Sequence, residues 1–323
     1  MNILVCGGAG YIGSHMLKTL AEHGHSVVTF DNLSTGHKEA VRHGSFVRGD
    51  LLDRPALKVL FSKNAFDAVM HFSALSIVSD SVAQPELYHE NNVTGTLNLL
   101  SEMLLSGVRR FIFSSSAAVY GAPKAKVLDE SHPVNPVNPY GETKLAVERA
   151  LAKLHSETGL DSLSLRYFNA AGAHPEGEIG ESHNPETHLI PVVLKSVLEG
   201  RPVKIFGDDY DTEDGTCVRD YIHVMDLCSA HLLGLEYLQR QGGAHVMNLG
   251  NGQGFSVLEV IRAAERVTGR EIPWEIAPPR PGDPARLVAS SELARRRLGW
   301  SPHYTQIETI IETAWKWHRN QAY

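Results

Sequence analysis

The chain opens on the apolar run Met1-Asn-Ile-Leu-Val-Cys6 and passes directly into a glycine-rich turn, Gly7-Gly-Ala-Gly-Tyr-Ile-Gly13, with a helix-like segment from Ser14 to Glu22 behind it. Few folds need a short buried strand, a turn almost free of side chains and a helix start in such quick succession. Glycines at this spacing permit a tight turn, let the backbone approach a pyrophosphate and let helix and strand pack closely, while the first helical N–H groups stay free for phosphate oxygens. Gly8, Gly10 and Gly13 satisfy G-x-G-x-x-G, and Gly7, Gly10 and Gly13 satisfy the related spacing of three. A second apolar run, Ser26 to Phe30, ends at Asp31, at the roughly 20-residue offset of an acid that holds ribose hydroxyls. The turn, with Tyr11 and Ile12 between its glycines, therefore reads as a dinucleotide site. A carboxylate at Asp31 repels a 2′-phosphate, and Asn32-Leu33-Ser34 bring no arginine to accommodate one, which favours NAD over NADP.

Strand-length apolar runs alternate with helix-length segments through the first half: Asn2 to Val5, Ser26 to Phe30, Ser45 to Arg48, Ala68 to Phe72, Arg110 to Phe113 and Ser162 to Tyr167. Such alternation predicts an α/β fold, a parallel sheet wrapped by helices. Helices are expected between the strands, including about Asn91 to Leu105 and Tyr140 to Glu157. After Asn169 the pattern loosens through Gly172-Ala-His-Pro-Glu-Gly-Glu-Ile-Gly180, a nominal domain boundary. Pro273, Pro278, Pro279, Pro281 and Pro284 predict loops that line a pocket rather than a sheet.

Composition narrows the function classes. A formal net charge of -7 and a pI near 6.2 give no footing for nucleic acid or an anionic membrane. Cys6, Cys217 and Cys228 form neither a disulfide framework nor a C-x-x-C pair, which points to a reducing, cytoplasmic compartment. No basic leader precedes the first apolar run, and no stretch approaches ~18 apolar residues, so neither a secretory signal nor a membrane span is expected. Seventeen histidines show no H-E-x-x-H or similar spacing, and no metal is expected.

Tyr140 and Lys144 stand four residues apart, downstream of the serine run Ser114-Ser-Ser116. On a helix that spacing puts phenol and ammonium on one face. A buried cation there is expected to lower the phenol from its usual value near ~10, so that it exchanges a proton with a substrate hydroxyl. Ser116, after the strand ending at Phe113, is placed to hydrogen-bond the same oxygen.

Gly7-Gly-Ala-Gly-Tyr-Ile-Gly13, Asp31-Asn-Leu, Ser114-Ser-Ser116, Tyr140-x-x-x-Lys144 and Arg166-Tyr-Phe-Asn169 together resemble the extended short-chain dehydrogenase/reductase family. The stretch Ile205 to Asp226 is similar to the branch of that family that inverts C4 of UDP-hexoses. The resemblance runs the length of the chain. It implies a Rossmann-type doubly wound parallel sheet in an NAD-binding domain, residues 1–170, and a smaller C-terminal α/β domain for the UDP-sugar, residues 171–323, with segments near 221–224 returning to the first. Ser116, Tyr140 and Lys144 are then the catalytic residues, Lys144 also holding the nicotinamide ribose. Asp50 and Leu51 fall against adenine, Phe72, Ala74, Ser114, Tyr167 and Phe168 beside the cofactor, and Asn91 near its pyrophosphate. Ser76 stands where relatives often carry lysine, so a hydroxyl or solvent replaces one phosphate contact.

On the substrate side the resemblance assigns Arg219 and Arg280 to the diphosphate of UDP-glucose or UDP-galactose, as paired guanidinium donors suit. Asn169, His188 and Leu189 fall along diphosphate and nucleoside, Phe206 beside uracil, Asp283 near the ribose and Phe168 beside the sugar. Leu287 faces the C2 substituent, where relatives confined to the plain sugars tend to carry tyrosine. Leucine leaves room for an N-acetylated hexosamine. A homodimer through the helices near Asn91–Leu105 and Tyr140–Glu157 is implied as well. The competing readings are a nucleotide-sugar 4,6-dehydratase or decarboxylase, a reductase with net redox change, and a nucleotide-binding regulator without chemistry. Dehydratases and decarboxylases carry an acid just after the catalytic serine or threonine, where this chain has Ala117-Ala118. Retention of Ser116, Tyr140 and Lys144 argues against a silent regulator.

Overall fold

In the computed structural model, which describes residues 1–280 and 283–323, seven strands form one parallel sheet. The order across it is Ala244–Asn248, Asp161–Arg166, Arg110–Ser114, Ala68–His71, Asn2–Cys6, Ser26–Asp31 and Ser45–Arg48. The six strands read from the sequence are all there. Their near-continuous apolar character follows from burial on both faces. On one face Ile3, Val5, Met70, Ile112 and Leu165 meet Met16 and Leu20 of the first helix and Leu235 of a later one. On the other, Leu4, Val69, Phe111 and Phe113 pack on Leu57, Leu99, Met103 and Val147.

The seventh strand, Ala244–Asn248, pairs in register with Ser162–Arg166 and was not read from the sequence. It follows a helix, Val224–Gln241, that packs on the same sheet. Tyr221–His223 pairs with Asn169–Ala171, in a two-stranded sheet of its own, and the residues after it rejoin the main sheet. A second core gathers Ile190, Val193 and Leu194 with Val260, Ile261, Ile310 and Ile311, from the helices Leu189–Glu199, Val257–Thr268 and Ile307–Arg319.

The proline-rich region departs from expectation. Trp274–Ala277 pairs with Val203–Phe206, and Arg286–Leu287 pairs with Val218–Arg219. The prolines Pro273, Pro278, Pro279 and Pro284 lie outside these short strands, where a missing N–H costs nothing. Pro281 lies outside the described residues. Among the described residues, no helix is long and apolar enough to cross a membrane.

Candidate active site

In an open parallel sheet, ligands bind beyond the carboxyl ends of the strands, where the strand order reverses. Here the reversal falls between Asn2–Cys6 and Ala68–His71, and a cleft opens there. It is lined by Gly7, Gly10, Asp31, Asn32, Asp50, Leu51, Phe72, Ala74 and Asn91, all read from the sequence. Ser34, Thr35, Gly36, Gly49, Ser73 and Leu75 also line it and were missed. Their only signal is adjacency to Asn32, Asp50, Phe72 and Ala74 along the chain.

The glycines have separable reasons. Gly7 has φ +79, and a Cβ on it would meet the Ser73 nitrogen at 2.5 Å. At Gly13 a Cβ would lie 2.1 Å from the Gly7 carbonyl oxygen. Gly10 precedes the helix Tyr11–Glu22, which has no side-chain cap and no acid in its first turn. Its N-terminal field is therefore left for an anion. Tyr11 and Ile12 open the helix directly after Gly10, and the Tyr11 hydroxyl donates to the Gly172 carbonyl at 2.6 Å, tying the first helix to the domain crossing. Asp31 accepts from the Ala9 and Leu33 N–H groups, at 3.0 and 2.8 Å. Burial raises its carboxyl above the ordinary value despite those two bonds. Asn32 donates to Asp50 at 2.8 Å, linking two expected cofactor contacts. Asn92, not singled out from the sequence, accepts from the Leu75 N–H at 2.9 Å and donates to the Leu75 carbonyl at 3.0 Å and to Thr143 at 3.1 Å. That clamp fixes the Ser73–Leu75 wall to the helix bearing Tyr140.

Asn138 starts this helix, Pro139–Thr158, by accepting from the Gly141 N–H at 2.8 Å, with Pro139 in its first turn. Tyr140 and Lys144 are therefore on adjacent turns, and the Lys144 ammonium lies 5.7 Å from the Tyr140 ring centre and 4.9 Å from that of Phe113. Lys144 donates to the Ser114 carbonyl at 2.8 Å. Burial pulls its ammonium down to about 7, partly opposed by Glu148. Burial also pushes the Tyr140 phenol up to about 12, against the Ser116 hydroxyl, which draws it down, with Tyr88 adding to the rise. The expectation that Lys144 lowers the phenol is not met in the chain alone: burial is the largest influence on both groups and drives each toward its neutral form. Ser116 accepts from the Ala118 N–H at 3.1 Å and so caps the short turn Ala117–Tyr120, which carries no acid.

Beneath this set lies a buried ion pair that the sequence did not single out as such. Arg166 donates to both carboxylate oxygens of Glu148, at 2.9 and 2.6 Å, and to the Tyr120 hydroxyl at 3.1 Å. Ser115 donates to Glu148 at 2.6 Å. The available signal was Glu148 one turn beyond Lys144. Ser114 and Tyr167 share a short hydroxyl contact, fixing Tyr167 beside the strand end.

Apart from His188 and Leu189, the expected substrate residues come from four stretches of chain, 168–169, 206, 219 and 280–287. Phe168 and Leu287 pack together on the cluster of Ala117, Val119, Tyr120, Leu128 and Leu145. Asn169 donates to the Asp220 carbonyl at 3.0 Å. Arg219 is in register with Leu287, and its guanidinium pairs with Asp283 and donates to the Pro284 carbonyl at 2.9 Å. The Arg280 guanidinium lies 4.2 Å from the centre of the Phe206 ring. His188 stands apart from this group. It precedes Leu189, the first residue of the helix Leu189–Glu199, and its Nδ1 faces Glu181 at 2.9 Å and Glu186 at 3.0 Å. Burial disfavours its imidazolium, but those carboxylates outweigh burial and push it up to about 10.

A profile of the NAD dependent epimerase/dehydratase family matches residues 3–250. UDP-glucose 4-epimerase of Halalkalibacterium halodurans is 53% identical over 324 residues, covering 100% of this chain and 97% of that protein. The chain belongs to this epimerase family. Among solved structures, UDP-glucose 4-epimerase from Bifidobacterium longum in complex with NAD+ and UDP is 38% identical, with a TM-score of 0.95 and 99% of each chain covered. The UDP-Glc/GlcNAc 4-epimerase from Campylobacter jejuni is 42% identical, with a TM-score of 0.87 and coverage of 98% and 99%.

Proposed function

We propose that this chain interconverts UDP-glucose and UDP-galactose by inverting C4 of the hexose, with NAD held in the cleft. The observation that carries the reading is the joining of Tyr140 and Lys144, on one helix beside Ser116, to a dinucleotide cleft by the Asn92 clamp. NAD fits the residues present: Cβ atoms would fill the cradle at Gly7 and Gly13, and the uncapped helix start at Tyr11 is free for its pyrophosphate. Asp31 and Asn32 would take its adenosine ribose, Asp50 and Leu51 its adenine, and Lys144 its second ribose. When bound, NAD would supply the oxidised nicotinamide ring that reversible removal of hydride from a sugar carbon requires.

Tyr140 accepts the C4 hydroxyl proton and later gives it back, and Ser116 relays it through its hydroxyl. Lys144 stabilises the phenolate during that exchange. Arg219 and Arg280 hold the diphosphate, Phe206 stacks beside uracil, and Asn169, Leu189 and Asp283 bound the rest of the nucleotide, while the His188 ring is turned to Glu181 and Glu186. With UDP anchored in this way, the keto sugar turns over without leaving. Ala117 and Ala118 offer no acid for the elimination step that a dehydratase needs. In this reading residues 1–170 serve the cofactor and most of 171–323 the UDP-sugar. The test is to incubate the purified protein with UDP-galactose and no added cofactor. UDP-glucose should accumulate to an equilibrium mixture without net NADH, and denatured protein should release nicotinamide dinucleotide. In a second arm with NAD added, steady NADH accumulation would mean a net redox reaction on the sugar rather than epimerisation, and no product in either arm would leave a binding protein.

Leu287 in place of a tyrosine supports turnover of UDP-N-acetylated hexosamines too, as the name of the Campylobacter jejuni neighbour suggests for that enzyme. A homodimer is supported by the groove between the helices Gly95–Leu105 and Pro139–Thr158, lined by Leu97, Leu100, Leu104, Leu105 and Leu154. Leu97 and Leu105 are 41% and 77% exposed, an apolar face suited to a second copy of the same helices. Leu105→Glu should shift the sedimentation profile from dimer to monomer. A wild-type protein that sediments as a monomer would exclude the pairing. The three cysteines, present as free thiols, agree with a reducing compartment such as the cytoplasm.

A further inference from the structure

Between the domain crossing and the helix Leu189–Glu199, the run Glu181-Ser-His-Asn-Pro-Glu-Thr-His188 folds back on itself. One donor atom from each of Glu181, His183, Glu186 and His188 lies within 4.8 Å of the other three. We propose that these four side chains form a binding site for one divalent transition-metal cation, with zinc the ion that their chemistry suits.

The spacing of the donors is that of a coordination shell. Zinc bonds of ~2.0–2.1 Å to four tetrahedral ligands imply edges of roughly 3.3–3.4 Å. The separations here are 3.3 Å from Glu181 Oε1 to His183 Nδ1, 2.9 Å from Glu181 Oε1 to His188 Nδ1, 3.8 Å from His183 Nδ1 to Glu186 Oε2 and, through the other oxygen of Glu186, 3.0 Å from His188 Nδ1 to Oε1. Both glutamate side chains are only 4% exposed, and among the described residues the histidines are their only cationic partners within 4.0 Å. Buried carboxylates need a counter-charge. His188 supplies part of it, and Glu186 Oε1 also accepts from the Thr187 and His188 N–H groups, but the network does not close on itself. Instead Glu186 Oε2 and His183 Nδ1, facing each other across the cluster, are buried without a hydrogen-bond partner. Two imidazoles and two carboxylates suit zinc better than calcium or magnesium, which take oxygen ligands.

The surroundings hold the frame in place. Trp317 donates its indole N–H to the Glu181 carbonyl at 2.9 Å, and the Ser182 carbonyl lies 3.2 Å from the His37 ring. The neighbouring group of His174, Glu176 and Glu178 makes a useful contrast, because the Lys18 ammonium already sits between its carboxylates. With four protein ligands the proposed site is closed, so the ion braces the segment leading into Leu189 and activates no water. The inference stands apart from the epimerase reading and is tested without an activity assay.

Tag-free protein is stripped with a chelator, titrated with zinc chloride and dialysed, and its zinc content and melting temperature are measured. Wild type should retain about one zinc per chain and melt higher with it, a shift of the kind any ligand of the folded state gives. Glu186→Gln and His183→Ala should each weaken zinc binding by at least ~10-fold, the lower bound seen even for outer-shell changes. His174→Ala should not. Because a variant can fail to fold, wild-type crystals soaked in zinc give an independent readout: anomalous density should lie between the four side chains. Stripped wild type that takes up no zinc, zinc retained equally by both ligand variants, or density only elsewhere would each overturn the site and leave a charge-paired His–Glu cluster.

Discussion

Tyr140→Phe should lower turnover of UDP-galactose by at least ~100-fold while leaving UDP-sugar binding nearly intact, the usual scale of a lost acid–base group. Phenylalanine keeps the ring and removes only the oxygen that faces Ser116 and carries the proton. The fold should survive, because Tyr140 follows the Asn138 cap and Pro139, and neither contact uses the phenol. Lys144 keeps its bond to the Ser114 carbonyl in the variant. The phenol's high value in the chain alone adds a pH signature. Its ionised form is the scarce one near neutrality, so wild-type turnover should rise with pH until another group intervenes, and the variant should lose that rise. A single-turnover assay with a UDP-binding titration separates the effects. A variant that retains most of the wild-type rate would remove Tyr140 from the base role.

How much of this was legible in the sequence divides by physical cause. Gly7, Gly10 and Gly13 were readable because a tight turn and a close helix–strand approach each demand one residue type at one offset, and Asp31 because it ends the second strand at the mouth of the cleft. Gly7 and Gly13 meet neighbouring backbone closely enough to exclude a side chain. Tyr140 and Lys144 were readable because helix geometry converts a spacing of four into a shared face. The strand Ala244–Asn248 was not, since it is an edge strand of mixed polarity whose pairing with Ser162–Arg166 joins residues far apart in the chain. The Asn92 clamp and the Glu148–Arg166 pair were missed for the same reason, as each joins elements that only the folded sheet brings together. Electrostatics misled once. A lysine one turn from a tyrosine suggested a lowered phenol, but burial acts on both groups and dominates. The cluster around His188 escaped because its E-x-H-x-x-E-x-H spacing follows no helical motif and closes only through a loop.

Leu287→Tyr should confine the substrate range. Leu287 lies in register beside Arg219, on a strand whose carbonyl accepts from the Asp220 N–H at 3.0 Å, so its backbone is fixed. Its side chain packs with Phe168 against the Ala117–Leu145 cluster, and Phe168 immediately follows the Tyr167 that contacts Ser114. A sugar presented to Tyr140 and anchored through Arg219 would have this wall at its flank. Leucine leaves space for an acetamido group but offers it no hydrogen bond, so admission comes from relief of clash rather than from attraction. Wild type is therefore expected to turn over both UDP-galactose and UDP-N-acetylgalactosamine, with a modest preference for the plain sugar. Tyrosine refills the space on a fixed strand, and overpacking of ~1–3 kcal/mol corresponds to roughly 5- to 150-fold. The variant should lose acetylated turnover by that factor and keep UDP-galactose turnover within a few-fold. Measuring kcat/KM for both sugars in both proteins decides it. If wild type shows no acetylated turnover, neighbouring loops close the space and Leu287 is a packing residue. If tyrosine lowers both activities equally, the wall does not discriminate at C2.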